Sequence, residues 1–243
     1  MGFNFLKLLQ YLIKEVVMIV IGILIALQIN NWDEDRKVEI EEINILKNLF
    51  EDLKSAKKQS ENFALQEEKL KKSLFLALGK TENGFQTDFN KFINDSIFYE
   101  LLWNFEARVP VINSYSDVKN TGKLGIIKNG GIRRSFTALE LNINSLKFFI
   151  EDRLAVQQLR VDKIAINNVN FVRLLHSQDS KFNVSNEIKN NYQTILSDQK
   201  IRNVLAAKLE LTNKIINYRY HLSDEIQKLM NLLNLEIKSR NTK

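Results

Sequence analysis

His176 and His221 are the only imidazoles in the 243 residues, and cysteine is absent. That leaves no thiolate nucleophile, no disulfide and no Cys-ligated zinc. Neither histidine has a second one a helical turn away, and no His-Glu-x-x-His run occurs. The spacing that holds zinc on one helix face is therefore missing. Gly122-Lys123 matches the last glycine and lysine of a phosphate-cradling loop, but the upstream glycine and the following Ser or Thr are not there. Gly122-x-x-Gly125 reads as a turn, and no Gly-x-Ser-x-Gly elbow is present. The carboxylates lie on helical stretches where a solvated face accounts for them. Neither a catalytic residue nor a metal or cofactor site is expected, and the chain is not read as an enzyme.

One carboxylate stands apart. Glu15 opens the run Val16–Leu27, VVMIVIGILIAL, twelve residues without a polar side chain. From Tyr11 to Trp32 a helix rises roughly 32 Å at 1.5 Å per residue, about one hydrocarbon thickness. Tyr11 and Trp32 suit the two headgroup boundaries, and Lys14 lies within snorkelling reach of the first. No Ala-x-Ala-like site follows the run, so an uncleaved anchor is expected rather than a cleaved signal peptide. Glu15, Gly22, Ala26 and Asn30 share one stripe of this helix. Gly22-x-x-x-Ala26 lets two backbones approach closely in lipid, with Glu15 and Asn30 as flanking polar contacts. Gln28 points nearly the opposite way.

These residues need long helices to position them, and the composition supplies them. There are 8 Gly and 1 Pro, so little interrupts a helix. No Asn-Gly or Asp-Gly turn lies between two alternating apolar runs, and the reading is all-α. Residues 1–14 form a short amphipathic segment, 15–32 the transmembrane helix and 33–79 a long charged helix. Residues 80–237 form a helical-bundle extramembrane domain, and 238–243 a frayed tail. In the long helix Ile43, Leu46, Phe50, Leu53, Ser60 and Ala64 follow an alternating three–four spacing, broadened by Leu49, Phe63 and Leu70. Lys57 and Glu67 interrupt it, so the stripe serves either a coiled coil or a bundle core. Gly79 is the expected stop. Beyond it come a loop over Thr81–Asn90 and an aromatic-rich helical stretch over Phe89–Phe105. Helical stretches follow over Val111–Asn120, Ile132–Leu175 and from about Glu187 to Ile237, the last with one break at Ser197-Asp198. Phe92, Phe98, Tyr99, Trp103 and Phe105 make either a core or a pocket. The net charge of +6 comes from interleaved bases and acids, so nucleic acid is not an expected partner.

Two stretches carry a resemblance. Glu15–Glu34, EVVMIVIGILIALQINNWDE, is similar to the N-terminal anchor of a family of uncharacterised single-pass proteins common in Bacteroidota, domain of unknown function 6090. Ser114–Arg134, with Thr121-Gly122-Lys123-Leu124 and Asn129, resembles a second motif of that family. Lys14 stands where the family often has Gly, and Asp33 where Asn is usual. The resemblance implies a membrane protein with a helical extramembrane domain and implies no activity.

Together these readings predict an anchored helical interaction or scaffold protein that self-associates. Its expected partners are the lipid bilayer, a second copy and a protein not identifiable from sequence. The expected place is a bacterial inner membrane, crossed once, with the C-terminal domain in the periplasm. The alternative is a homo-oligomer in which Glu15 and Asn30 line a cation-conducting or gating path.

Overall fold

The computed structural model describes residues 5–80, 83, 93–181 and 183–241, with side chains from Ile13 to Arg240. Residues 1–4, the side chains up to Leu12 (Tyr11 among them), most of the Thr81–Asn90 loop and Phe92 lie outside these. Among the described residues the chain is helical and contains no β-strand; the all-α reading holds.

Helix α1 runs unbroken from Phe5 to Ala77, about 110 Å at 1.5 Å per residue. Its end is a glycine cap. Gly79 takes φ 73°, its N–H bonds to the Leu76 carbonyl at 3.0 Å, and the Lys80 N–H bonds to the Phe75 carbonyl at 2.9 Å. That paired pattern satisfies carbonyls the helix leaves open, and the left-handed residue it needs is one glycine adopts without strain.

Short helices follow: α2 (Asp95–Trp103), α3 (Asn113–Asn120) and a 3-10 turn (Lys123–Ile126). Helix α4 (Gly130–Val156) passes through a π-turn (Gln157–Val161) into α5 (Asp162–Asn168). Then come α6 (Phe171–Gln178), α7 (Tyr192–Ser197) and the long α8 (Gln199–Asn241). Helix α8 runs antiparallel to α1. Arg202 reaches the Leu78 carbonyl at one end and Arg240 meets Glu42 at the other. It packs most extensively against α1 and next against α4.

Three helical expectations are corrected. The stretch Ile132–Leu175 is interrupted at Val169–Asn170, where Asn170 and Asn190 pair backbone to side chain in both directions (2.7 and 3.2 Å). The Asn170 backbone groups are thus satisfied by a separate segment instead of by a continuing helix. The helix expected from Glu187 starts at Tyr192, with the Asn191 side chain capping the Thr194 N–H at 3.1 Å. The tail read as frayed is helical through Asn241, because Arg240 is held by Glu42 and Glu236.

The apolar spacing of α1 is used inside the chain. Leu46, Leu49, Leu53 and Ala56 are fully buried with Phe136 and Leu146 of α4 and with Ile226 and Leu233 of α8. Leu70, Leu74 and Ala77 build a second core with Phe98, Leu101 and Leu102 of α2, Ile164 of α5 and Leu205 of α8. The stripe is thus taken by a bundle. The outward side of α1, with Lys47, Glu51, Lys54 and Lys58 exposed, offers no apolar coiled-coil seam.

Candidate functional site

Between the two cores lies a layer of buried charge. Glu67, Lys208 and Arg219 are fully buried, Arg153 is nearly so, and Glu106 is 5 % exposed. The four on helices each occupy a position where the spacing calls for an apolar residue: Ala64–Glu67–Leu70 on α1, Ile150–Arg153–Gln157 on α4, Leu205–Lys208–Thr212 and Ile215–Arg219–Leu222 on α8. A buried charge is costly unless paired and hydrogen-bonded, and these are.

Arg153 grips the Glu67 carboxylate with both terminal nitrogens, one of them at 2.7 Å. Arg219 lies 3.8 Å from the same carboxylate. The remaining donors converge on the non-helical segment from Asn104 to Val111. The Glu106 carbonyl accepts from Arg153 (3.0 Å) and Arg219 (2.9 Å), and the Arg108 carbonyl from Arg219 (3.0 Å). The Glu106 N–H donates to Glu67 at 3.2 Å. Lys208 gives its three protons to the carbonyls of Leu101 and Leu102, at the C-terminal end of α2, and to Gln157 (2.6–3.0 Å). The guanidinium groups of Arg108 and Arg219 both lie over the Phe63 ring, at 4.9 and 5.2 Å, and Phe105 faces Arg153 and Lys208.

The physical reason is backbone satisfaction. A segment without helical hydrogen bonds that is buried at Glu106 and Pro110 needs donors and acceptors from elsewhere. The end of α2 also leaves carbonyls unpaired, which a cation suits both by hydrogen bonding and by the helix dipole. The π-turn contributes by bringing Gln157 inward, where it accepts from Lys208 and donates to Asp162 at 2.9 Å.

The environment moves these groups in understandable directions. Burial, followed by the repulsion of Arg153, pushes the Lys208 ammonium down to about 7 against the pull of Glu67 and Asp162. Burial lowers Arg219 to about 10, opposed by Glu67, so it stays charged at neutral pH. Burial raises the Glu106 carboxyl, but the hydrogen bonds and charge of Arg108, with Arg219, outweigh it and leave the group below the usual carboxylate range. The cavities lined by Tyr115 and Phe136, by Ile164 and Ile201, by Leu139 and Leu229, and by Trp103 and Phe171 do not include Glu67, Glu106, Arg153, Lys208 or Arg219 in their walls. The chemistry of the layer is cohesion.

A second charged cluster forms a collar at the start of the domain. Glu42, fully buried, accepts the Lys128 N–H at 2.6 Å and pairs with Arg240 at 3.0 Å. Lys123 meets Glu41 at 2.6 Å. Asn129 caps α4 at Gly131 and Ile132 and donates to Glu236 at 2.8 Å. Gly122 supplies the left-handed turn at φ 74° that brings Lys123 round to α1. The motif Thr121–Leu124 with Asn129 therefore works as a clasp on Glu41 and Glu42 rather than as a phosphate loop.

Below the collar the predicted site residues are uncovered. Every described side chain from Ile13 to Ile40 is exposed. Glu15, Gly22, Ala26 and Asn30 lie on one face of an uninterrupted helix. A methyl group added at Gly22 would meet nothing within 4 Å. The Asn30 amide bonds to Glu34 at 3.1 Å along the helix, and Lys37 pairs with Asp33 at 2.7 Å. Lys14 and Trp32 are exposed at either end. Residues from Ile13 onward form the one helix among those described that is long and apolar enough to cross a membrane.

A protein family, "Family of unknown function (DUF6090)", matches residues 15–145. The chain belongs to this family. The DUF6090 match covers more than half of the chain: the uncovered run, the rest of α1, Glu67 and Glu106, and the clasp on Glu41 and Glu42. It ends within α4, so Arg153, Lys208 and Arg219 lie beyond it. No curated protein and no solved structure matches the chain.

The charged layer escaped the sequence reading, in which Glu67 appears only as an interruption. The signal was there: charged or polar residues fall on buried-face positions of three separate helices. Their partners are far apart in sequence, 86 residues for Glu67 and Arg153, and periodicity does not connect them.

Proposed function

We propose that this DUF6090 member is a membrane-anchored interaction protein, with residues 15–32 crossing the bilayer and the helical domain held on the same helix. One observation carries the reading. The run Val16–Leu27 is apolar and exposed along its length among the described residues, yet it continues without a break into the domain core. Exposed apolar surface of that extent calls for lipid or a partner to cover it. Tyr11 and Trp32 fit the two boundaries, and the collar begins about 14 Å beyond Trp32 at 1.5 Å per residue.

The stripe Glu15, Gly22, Ala26 and Asn30 supports pairing of two copies within the bilayer. At 100° per residue it lies on roughly the opposite side of α1 from Leu46, Leu49 and Leu53. Two copies joined there would carry their domains outward without collision. The charged outer face of α1 beyond the span limits such a contact to the bilayer. The conducting alternative has less support: the Asn30 amide is engaged by Glu34, and the residues between Glu15 and Asn30 are almost all apolar. The basic N-terminal flank favours the domain on the outer face of an inner membrane.

Alkaline extraction of membranes tests the anchor. The full chain is expected to stay in the pellet. Ile21→Arg with Leu24→Arg, each costing about 2.5–3.5 kcal/mol of insertion, should release it with the domain still folded. Release of the unaltered chain would contradict the reading.

A further inference from the structure

The stretch from Val118 to Leu139 is the longest in the chain without an acidic residue. It carries Lys119, Lys123, Lys128, Arg133 and Arg134, whereas elsewhere bases and acids interleave. Folding brings the later part of this stretch to the end of the domain nearest the exposed apolar run. Lys123 pairs with Glu41, and the Lys128 N–H donates to Glu42. Helix α4 then rises away from the run until Arg153 meets Glu67. The first turn of α4 is therefore the part of that helix closest to the span.

The bases at this end stand outward. Lys128, Arg133 and Arg134 are exposed. Both guanidinium groups fold back to the first turn of α4. A methyl group added at Gly130 would lie 3.4 Å from an Arg134 nitrogen and 3.7 Å from one of Arg133. The carboxylates of the collar do not cancel them. Glu41 is taken by Lys123, Glu42 by Arg240 and the Lys128 N–H, and Glu236 by Arg240 and Asn129. Asp33, Glu34 and Asp35 lie on α1 beside Arg36 and Lys37. Helix α4 packs on α8, so its arginines stand at least a helix spacing, about 8–10 Å, to the side of those acids.

The distance to the bilayer suits electrostatic attraction. Glu42 stands about 15 Å beyond Trp32 along α1, and headgroups fill roughly the first 5–8 Å of that. The remaining gap of roughly 7–10 Å is about one Debye length at physiological salt, the range over which juxtamembrane bases feel an anionic surface. Spanning helices lean by about 20° on average, and a lean toward α4 narrows the gap.

We infer that Lys128, Arg133 and Arg134 form a basic brim that docks on the anionic phospholipid headgroups of the bilayer the span crosses. Docking draws the domain down toward the membrane surface on the α4 side. Arginine forks match phosphate oxygens, and the positive end of the α4 dipole points the same way.

This inference rests on the membrane-anchored reading, and the test separates the two. The full chain carries Gly125→Cys, an exposed position where an added side chain meets nothing within 4 Å. A fluorophore is attached there, and the chain is reconstituted into vesicles of phosphatidylcholine alone or mixed with phosphatidylglycerol. Both kinds contain a lipid with a nitroxide on its headgroup, which quenches a nearby fluorophore. Quenching is expected to be about twofold stronger in the anionic vesicles. The gain should vanish at about 1 M salt, where the Debye length falls to about 3 Å. It should fall by more than half in the pair Lys128→Gln, Arg134→Gln, which leaves Arg133 on the Ile127 carbonyl. A label at Leu65, exposed on α1 far from the bilayer, should read the same in both lipids. The lipid and salt arms need no substitution, and an unchanged thermal unfolding curve for the pair assigns its loss to the two charges. Equal quenching in the two vesicles, or a gain that survives salt or the paired substitution, would overturn the inference. If the chain floats with the vesicles throughout, that result rejects the brim alone. A chain that floats with neither kind rejects the anchor and the brim with it.

Discussion

Residues 15–40 and 42–77 belong to the same helix, yet the first stretch is exposed along its length and the second is buried at every third or fourth position. Within the first, Val16–Leu27 is apolar and exposed among the described residues; the second is charged at buried positions, Glu42 and Glu67. The apolar run carries nonpolar side chains right round the helix, which suits a uniform surrounding such as lipid. The domain half is amphipathic, with Glu42, Ser60 and Glu67 on its buried face, each matched by a partner from a distant part of the chain. Burial within a protein tolerates charge where a partner is built in, and a bilayer-facing helix does so at far greater cost.

The sharpest way to break this contrast is to remove the central carboxylate. Glu67→Ala leaves Arg153 and Arg219 buried without their counter-ion. It should cost about 3–5 kcal/mol, read as a lower urea midpoint by circular dichroism while the chain stays in membranes. A variant as stable as the parent would mean the layer is not the joint between the two cores. Glu42→Ala, at the collar, should cost about 1.5–3 kcal/mol as hydrogen bonds to a charged group are lost. It should also open the end of α8 to limited proteolysis.

The pH dependence sharpens the same point. Lys208 has a folded pKa of about 7 against about 10.4 for an unperturbed lysine. Between pH 7 and 9 the unfolded chain therefore binds more protons than the folded one. Stability should rise with pH over that window, and Lys208→Met should flatten the rise. A slope unchanged in the variant would assign it to other groups. The smallest effect on the domain is expected from Gly22→Leu with Ala26→Leu. With open space around Gly22, unfolding should shift by less than about 0.5 kcal/mol. In mild detergent the same pair should lower the mass of the assembly if the stripe joins copies.

The contrast also explains what was legible in the sequence. Periodicity showed the helices because the apolar positions of α1, α4 and α8 recur on one face, and the Gly79 stop was visible because a left-handed cap favours glycine. The clasp was half visible: Thr121–Leu124 and Asn129 were picked out as a motif, but their target, Glu41 and Glu42, lies some eighty residues earlier. The charged layer was not visible. A lone Glu67 on an apolar stripe reads as a flaw until Arg153 and Arg219 are brought against it, and only folding does that. The break at Asn170 was hidden for the same reason, since its partner Asn190 belongs to a separate segment.

The division of α1 can be read residue by residue, because the chain has no native cysteine. Single cysteines at Met18, Ile21 and Leu24, and at Ser55 and Leu65, all occupy positions exposed in the isolated chain. Labelling with a membrane-impermeant maleimide in native membranes then measures what covers each one. An anchored helix predicts that Ser55 and Leu65 react while Met18, Ile21 and Leu24 stay protected. Equal labelling at all five would show that residues 15–32 are bathed in water, and would contradict the anchor on which the account rests.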